Sequence, residues 1–328
     1  MKIVLVSHHQ FDSWNIPYWF SERLRREFPQ VEVVHLRGYA GLEAELGDAE
    51  AAMTWSLQPE QFRLARGLRW IHSPAAGVNQ LMFSELIQSN VMLTNAREVH
   101  GTVVAELVIA LVFALAKNLH RAAHFQRQHM WAQESIWEET PRPREVAGAT
   151  LGLVGLGSIG REVARRASAL GMRVIAVREH PEKRSPAAVQ QVFASVQIDE
   201  LLSQSDYVVL AAPVTPATQN LIDASRLAKM KPQACLINVS RGSLVDETAL
   251  VQALHEHKIG GAALDVFEPE PLPPDSPLWD LENLLITPHI GGLTEKLWER
   301  HYALFSDNLR RYLKREPLLS LVDKLQGY

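Results

Sequence analysis

Short apolar runs rich in β-branched residues recur along the chain, separated by stretches with helical periodicity. Lys2–Ser7, Val31–Leu36, Ala51–Trp55, Leu68–His72 and Val91–Thr94 read as strands, with a helix over Ser21–Phe28. The runs are continuous rather than alternating, as expected of strands covered on both faces, and their spacing implies parallel βαβ units. One long helix is predicted from Val99 to about Gln128, then an irregular segment to Arg144 containing Pro141 and Pro143. A second series follows at Thr150–Val154, Arg173–Val177, Tyr207–Ala211, Ala234–Val239, Ala262–Val266 and Leu284–Thr287. Six strands complete a doubly wound sheet, so the last helix, Thr294 to about Lys314, is expected to pack back on the first block. The expected class is α/β with two doubly wound parallel-sheet domains. The first is discontinuous (residues 1–98 and 290–328) and the second (99–289) is inserted into it.

Composition narrows this picture only a little. The chain is 47% apolar and 21% charged, an ordinary globular profile in which neither metal nor disulfide is needed for stability. Its net charge of −4 argues against a nucleic-acid partner. The longest apolar stretch, Val103–Ala116, is too short to cross a bilayer and carries Glu106. The single cysteine, Cys235, lies in an apolar run and reads as a small buried hydrophobe. With no secretory signal in view, a cytoplasmic protein is expected.

Gly155, Gly157 and Gly160 form a G-x-G-x-x-G that follows a strand and opens a helix, the context in which such a triplet cradles a dinucleotide. Gly155 allows the tight turn, Gly157 the close approach of a pyrophosphate, and Gly160 close helix–strand packing. The helix N-terminus adds free N–H groups and a partial positive charge. The second domain is therefore expected to be Rossmann-like, and the first flavodoxin-like. At the tip of the next strand an NAD site usually carries Asp or Glu for the ribose 2′-hydroxyl. Here the residue is Arg178, followed by Glu179, with Lys183 and Arg184 nearby. A guanidinium suits a 2′-phosphate, which favours NADP over NAD.

Three later segments place polar residues just past strand C-terminal ends, where ligands bind in open α/β sheets. They contribute Arg241, the carboxylates Asp265, Glu268 and Glu270, and His289. With the glycine turn and the Ala212–Thr218 loop, this set resembles the D-isomer-specific 2-hydroxyacid dehydrogenase family over nearly the whole chain. The resemblance implies a catalytic Arg241, Glu270 and His289, the family's spacing from Asp265 selecting Glu270 over Glu268. It also implies cofactor contacts from Ser158, Ile159, Ala212, Pro213, Thr218, Val239, Ser240, Arg241, Asp265, His289 and Gly291.

The implied chemistry is hydride transfer between a nicotinamide cofactor and a small 2-keto acid or D-2-hydroxy acid. Arg241 would bind the carboxylate and polarise the carbonyl, while His289 would supply the proton. A neighbouring Glu270 would favour the imidazolium and orient the ring. In the first domain the resemblance points to Leu57 and to a loop at Ala76 and Gly77 that takes the substrate carboxylate. Gly77 is expected in an unusual backbone conformation, and Asn79 stands where the family commonly has Asp. Trp298, in the closing helix, is a further candidate neighbour of the pocket, with core packing as the alternative. The chain is expected to cross between the domains near Glu98 and at Ile290–Leu293, where Gly291 and Gly292 would absorb the dihedral change of hinge closure over the cofactor. The resemblance further implies a homodimer embraced by an arm over His124–Arg144.

Glyoxylate or hydroxypyruvate is the expected substrate. Phosphoglycerate dehydrogenase-like and broad 2-keto acid reductase activities are the alternatives within the class. A non-catalytic, dinucleotide-sensing corepressor-like protein is the alternative outside it.

Overall fold

The computed structural model describes residues 1–327, which divide into two compact units: residues 1–100 with the segment from Thr294 onward, and Gly101–Leu293.

The first unit is a five-stranded parallel sheet with helices on both faces. Its elements are β1 (Lys2–Val6), α1 (Tyr18–Glu27), β2 (Glu32–Leu36), α2 (Leu42–Leu46), β3 (Ala51–Thr54), α3 (Pro59–Leu64), β4 (Trp70–Ser73), α4 (Ser84–Gln88) and β5 (Met92–Asn95), with strand order β2-β1-β3-β4-β5. Successive side chains of a strand point to opposite faces, so β1 sends Val4 and Val6 to one core with Leu42, Leu46 and Ile71. It sends Ile3 and Leu5 to the other core, with Phe20, Leu24 and Trp70. The closing helix, Leu297–Leu313, covers this second face: Phe305 stacks on Trp70 with ring centroids 5.1 Å apart.

The same face buries two histidines. His72 is 0% exposed and shares Thr94 Oγ1 with Trp70 Nε1, each at 2.8 Å. Burial pulls His72 down to about 3, and burial beside His100 and His72 pulls His301 well below its ordinary value. Both folded-state values lie below those of the unfolded chain. The stability these neutral imidazoles allow is therefore complete above pH ~6.5 and lost as pH falls toward about 3. For His72 alone the loss approaches about 1.4 kcal/mol per pH unit within that window. The urea midpoint should accordingly fall steadily between neutrality and pH ~4; a flat midpoint would remove this account.

The second unit begins with α5 (Gly101–Ala116), α6 (Leu119–Arg127) and α7 (Gln133–Glu138). The single long helix expected from Val99 is thus two helices bent by 69°. The break is Asn118, which takes a left-handed conformation (φ 50°) and donates through Nδ2 to the Pro141 carbonyl at 3.1 Å. Asparagine tolerates that conformation better than most residues. No single helix of the described residues is long and apolar enough to span a membrane.

The sheet follows: β6 (Thr150–Val154), α8 (Ser158–Ala169), β7 (Arg173–Arg178), β8 (Gln191–Ala194), α9 (Ile198–Gln204), β9 (Tyr207–Leu210), α10 (Ala224–Leu227), β10 (Cys235–Asn238), α11 (Glu247–His255), β11 (Gly261–Leu264) and β12 (Leu284–Ile286). Seven parallel strands run in the order β12-β11-β10-β9-β6-β7-β8. The additional strand, β8, lies at the edge with only one fully buried residue, Phe193, so its apolar signal is weak. The order reverses between β6 and β9, and a doubly wound sheet opens a ligand crevice at such a point.

Candidate active site

At the end of β6 the glycine turn takes the shape its spacing implies. Gly155 has φ 102°, and a Cβ there would meet the Ala211 carbonyl oxygen at 2.6 Å. A Cβ on Gly160 would meet the Gly155 oxygen at 2.3 Å, so helix and turn touch backbone to backbone. At Gly157, the N-cap of α8, a Cβ would meet nothing within 4 Å. Open space above the first turn of a 12-residue helix, where Ser158 and Ile159 stand, is what a pyrophosphate requires. At the tip of β7, Arg178 donates through Nη2 to Ser185 Oγ at 3.3 Å, while its buried Nε has no partner. A guanidinium with an unspent buried donor fits a further anion there, and Glu179 beside it is exposed. The residues present fit a nicotinamide dinucleotide.

Across the crevice the loops after β9 and β10 are tied together. Ser240 Oγ donates to the Ala212 carbonyl oxygen. Thr218 Oγ1 accepts from Thr215 N at 2.7 Å and donates to the Pro213 oxygen at 2.8 Å. Val239 is buried between these loops' strands. Asn238, which the sequence reading passed over, is 1% exposed and holds the turn from inside. Its Nδ2 donates to the Arg241 carbonyl at 2.8 Å and its Oδ1 accepts from Ser240 N at 3.1 Å. A lone amide at the end of the apolar β10 run was the available signal.

The loops after β11 and β12 bring the candidate acid–base residues together. Glu270 Oε2 meets His289 Nδ1 at 2.7 Å, and Glu270 Oε1 accepts from Phe267 N at 2.9 Å. Glu268 makes no hydrogen bond to His289 among the described residues; its backbone N–H donates to Glu247 Oε1 at 2.9 Å. An ionised carboxylate only accepts, so the His289 proton sits on Nδ1 and Nε2 is the nitrogen left for exchange. Burial opposes ionisation of Glu270, but the bonds from His289 and Phe267 N–H, with Arg241 nearby, outweigh it and hold the carboxyl below its ordinary value. His289 itself sits at φ 53°, a left-handed conformation that histidine enters more readily than most residues.

Asp265 fixes that unusual turn. It is 2% exposed and accepts from Thr287 Oγ1 at 2.6 Å, Ile290 N at 2.9 Å and Gly291 N at 2.8 Å. A Cβ on Gly291 would meet its Oδ2 at 2.7 Å. Asp265 and Gly291, expected at the cofactor, are thus bonded to each other and shape the backbone on both sides of His289.

Arg241 donates through Nη1 to the Ser240 oxygen at 2.7 Å, its side chain reaching solvent. Desolvation by the surrounding protein pulls it below its ordinary value and the Glu270 charge opposes this; an arginine stays protonated regardless. Gly242 brings its loop against the Glu270 loop, since a Cβ there would meet the Phe267 carbonyl carbon at 2.1 Å. Cys235 is 1% exposed and burial pushes its thiol up to about 11, the state of an inert core residue.

In the first unit, Ala76 and Gly77 leave β4 in a loop pinned by its carbonyls. Asn95 Nδ2 donates to the Ala76 oxygen at 2.6 Å and Ala96 N to the Ala75 oxygen at 3.0 Å. Their own N–H groups meet no acceptor among the described residues. Two expectations change here. Gly77 is absent from the glycines at positive φ, so the loop turns without a left-handed residue at that position. Leu57 is 2% exposed within the sheet core, so its side chain offers no open wall. Trp298 packs on Phe20 and His301 and donates to the Ser13 oxygen at 2.9 Å.

The chain is similar to known proteins over most of its length. Residues 109–291 match the family described as D-isomer specific 2-hydroxyacid dehydrogenase, NAD binding domain. A glyoxylate reductase of Thermococcus kodakarensis is 36% identical over 287 residues, 84% of each chain. A D-3-phosphoglycerate dehydrogenase of Methanocaldococcus jannaschii is 34% identical over 92% of this chain and 57% of its own length. Among solved structures, an NADPH-dependent glyoxylate/hydroxypyruvate reductase of Sinorhizobium meliloti, in complex with NADP and sulfate, is similar with TM-score 0.82. It is 27% identical, over 100% of this chain and 99% of the other.

Proposed function

Since this chain belongs to the D-isomer specific 2-hydroxyacid dehydrogenase family, we propose that it is a reductase of glyoxylate or hydroxypyruvate that prefers NADPH. That it is an oxidoreductase acting on a 2-hydroxy or 2-keto acid with a nicotinamide cofactor follows from the family itself. The observation that carries the catalytic reading is the 2.7 Å contact between Glu270 and His289 Nδ1, which leaves Nε2 to exchange a proton.

The glycine turn and the N-terminus of α8 would hold the pyrophosphate of a nicotinamide cofactor and Arg178 its 2′-phosphate, and the group so held would supply hydride in reduction and accept it in oxidation. Arg241 binds the substrate carboxylate and polarises the carbonyl beside it, where negative charge grows as the carbonyl is reduced. His289 Nε2 donates its proton to that oxygen and recovers it in the reverse direction. Glu270 keeps the ring oriented with Nδ1 protonated. In the first unit the N–H groups of Ala76 and Gly77 are donors left open to an anion. The exposed Met130, Trp131 and Trp137 of the arm support a homodimer built on that segment.

Arg178 bears the cofactor preference. Its buried, unpartnered Nε and the NADP complex of the Sinorhizobium meliloti relative both favour NADPH. Arg178→Ala should lower kcat/KM for NADPH by about 10- to 100-fold, the worth of one charge-assisted contact, while sparing NADH. The reading as a whole is tested by assaying glyoxylate, hydroxypyruvate, pyruvate, phenylpyruvate and 3-phosphohydroxypyruvate with each cofactor. Highest kcat/KM with glyoxylate or hydroxypyruvate and NADPH is expected. A clear preference for 3-phosphohydroxypyruvate would move the assignment to the phosphoglycerate branch, and a preference for NADH would remove the role given to Arg178.

A further inference from the structure

The first unit contains a second concave site that none of this chemistry uses. It is an open concavity of about 630 Å³ beside α3, the turn into β4, and α4, roomy enough for a small molecule. It opens at the N-terminal ends of β4 and β5, whereas Ala76 and Gly77 leave the opposite end of β4. Arg63, Arg66 and Arg69 line it together with Glu85, Ser89 and Asn90.

The charges there do not cancel. Arg63 pairs with Glu85 at 2.6 Å and with Glu60 at 3.6 Å. Among the described residues no carboxylate pairs with Arg66 or Arg69. Arg69 Nη1 reaches only the carbonyls of Leu68 at 3.1 Å and Arg66 at 3.5 Å. A fourth cation stands at the rim: Lys324 Nζ donates to the carbonyls of Leu86, Ser89 and Val91 at 3.0, 2.6 and 3.0 Å, again with no carboxylate. Ser89 and Val91 themselves line the concavity. In a chain of net charge −4, three cations without acidic partners around one hollow form a local exception. Surface charges are ordinarily interspersed, and arginines gathered around a depression offer paired N–H groups matched to phosphate or carboxylate oxygens.

We infer that this hollow is a binding site for a small polyanion, a phosphorylated or multiply carboxylated metabolite, separate from the dinucleotide and keto-acid sites. Arg66 and Arg69 supply the principal contacts, Arg63 joins them when its pairing with Glu85 loosens, and Lys324 adds a fixed positive charge.

The test is calorimetric titration of inorganic pyrophosphate and of citrate into the full chain saturated with NADPH. Both anions are titrated into the wild type, Arg66→Gln/Arg69→Gln, Arg241→Gln and Glu85→Gln. The site requires binding to the wild type that weakens about tenfold or more in the double variant and is retained in Arg241→Gln. Glu85→Gln should bind more tightly, because one carboxylate leaves the hollow and Arg63 keeps only its 3.6 Å pairing with Glu60; this variant carries the test should the double variant fail to fold. Tighter binding of pyrophosphate identifies a phosphorylated ligand, and tighter binding of citrate a polycarboxylate. Absence of binding, equal affinity in a folded double variant, unchanged or weaker binding in Glu85→Gln, or loss in Arg241→Gln alone would overturn the inference.

Discussion

Replacing His289 with alanine is expected to lower kcat by about 10²- to 10⁴-fold, the range over which a positioned acid–base group contributes. The size of the effect follows from the geometry. Glu270 occupies Nδ1 at 2.7 Å, so the ring presents one exchangeable nitrogen, and removing the ring removes the only proton donor assigned to the nascent alkoxide. Cofactor affinity should change little, because the glycine turn and Arg178 belong to other loops of the same sheet. Steady-state turnover, with fluorescence titration of NADPH, separates the two effects. Turnover near the wild-type level would remove His289 from the mechanism.

The second large effect is expected at a residue that carries no chemistry. A methyl group at Gly242 would lie 2.1 Å from the carbonyl carbon of Phe267, 2.4 Å from its oxygen and 2.6 Å from the Glu268 nitrogen. All three are backbone atoms, so no side chain can swing aside. The loop carrying Arg241 must separate from the loop carrying Glu270. Overpacking of this kind typically costs about 1–3 kcal/mol, and more where relaxation is blocked. A shift of roughly 1 Å in a catalytic group costs on the order of a hundredfold in rate. Gly242→Ala should therefore lower Tm and reduce kcat/KM by about a hundredfold. Thermal melts and steady-state kinetics on the same preparation check both; wild-type values in each would contradict the packing described for these loops.

Much of the fold was readable from local pattern. Strands buried on both faces announce themselves as continuous apolar runs, which is why β1, β6, β9 and β10 lay close to their expected positions. The glycine triplet could be interpreted because each glycine answers a different local demand. Preference for Glu270 over Glu268 rested on family spacing, and the 2.7 Å contact with His289 gives that spacing a physical basis.

What escaped the sequence depends on partners distant along the chain. The break at Asn118 is held by a carbonyl 23 residues away. Gly242 looks like any loop glycine until Phe267 is placed against it. Asn238 reads as a stray polar residue until its amide is seen bracing the Arg241 turn. Leu57 follows a strand as pocket residues do, yet packing claims its side chain for the core. Asp265 reads from its motif as a cofactor neighbour, and only the structure shows that its carboxylate also takes three donors that shape the backbone around His289.

On the proposed function, hydride would pass from NADPH to carbon 2 of a keto acid on this chain while His289 protonates the oxygen. The most direct measurement supplies NADPH deuterated at the transferred position together with hydroxypyruvate, then reads the isolated product by mass spectrometry and chiral chromatography. One deuterium on carbon 2 of D-glycerate is the predicted result. A product without deuterium at that carbon, or the L isomer, would contradict it.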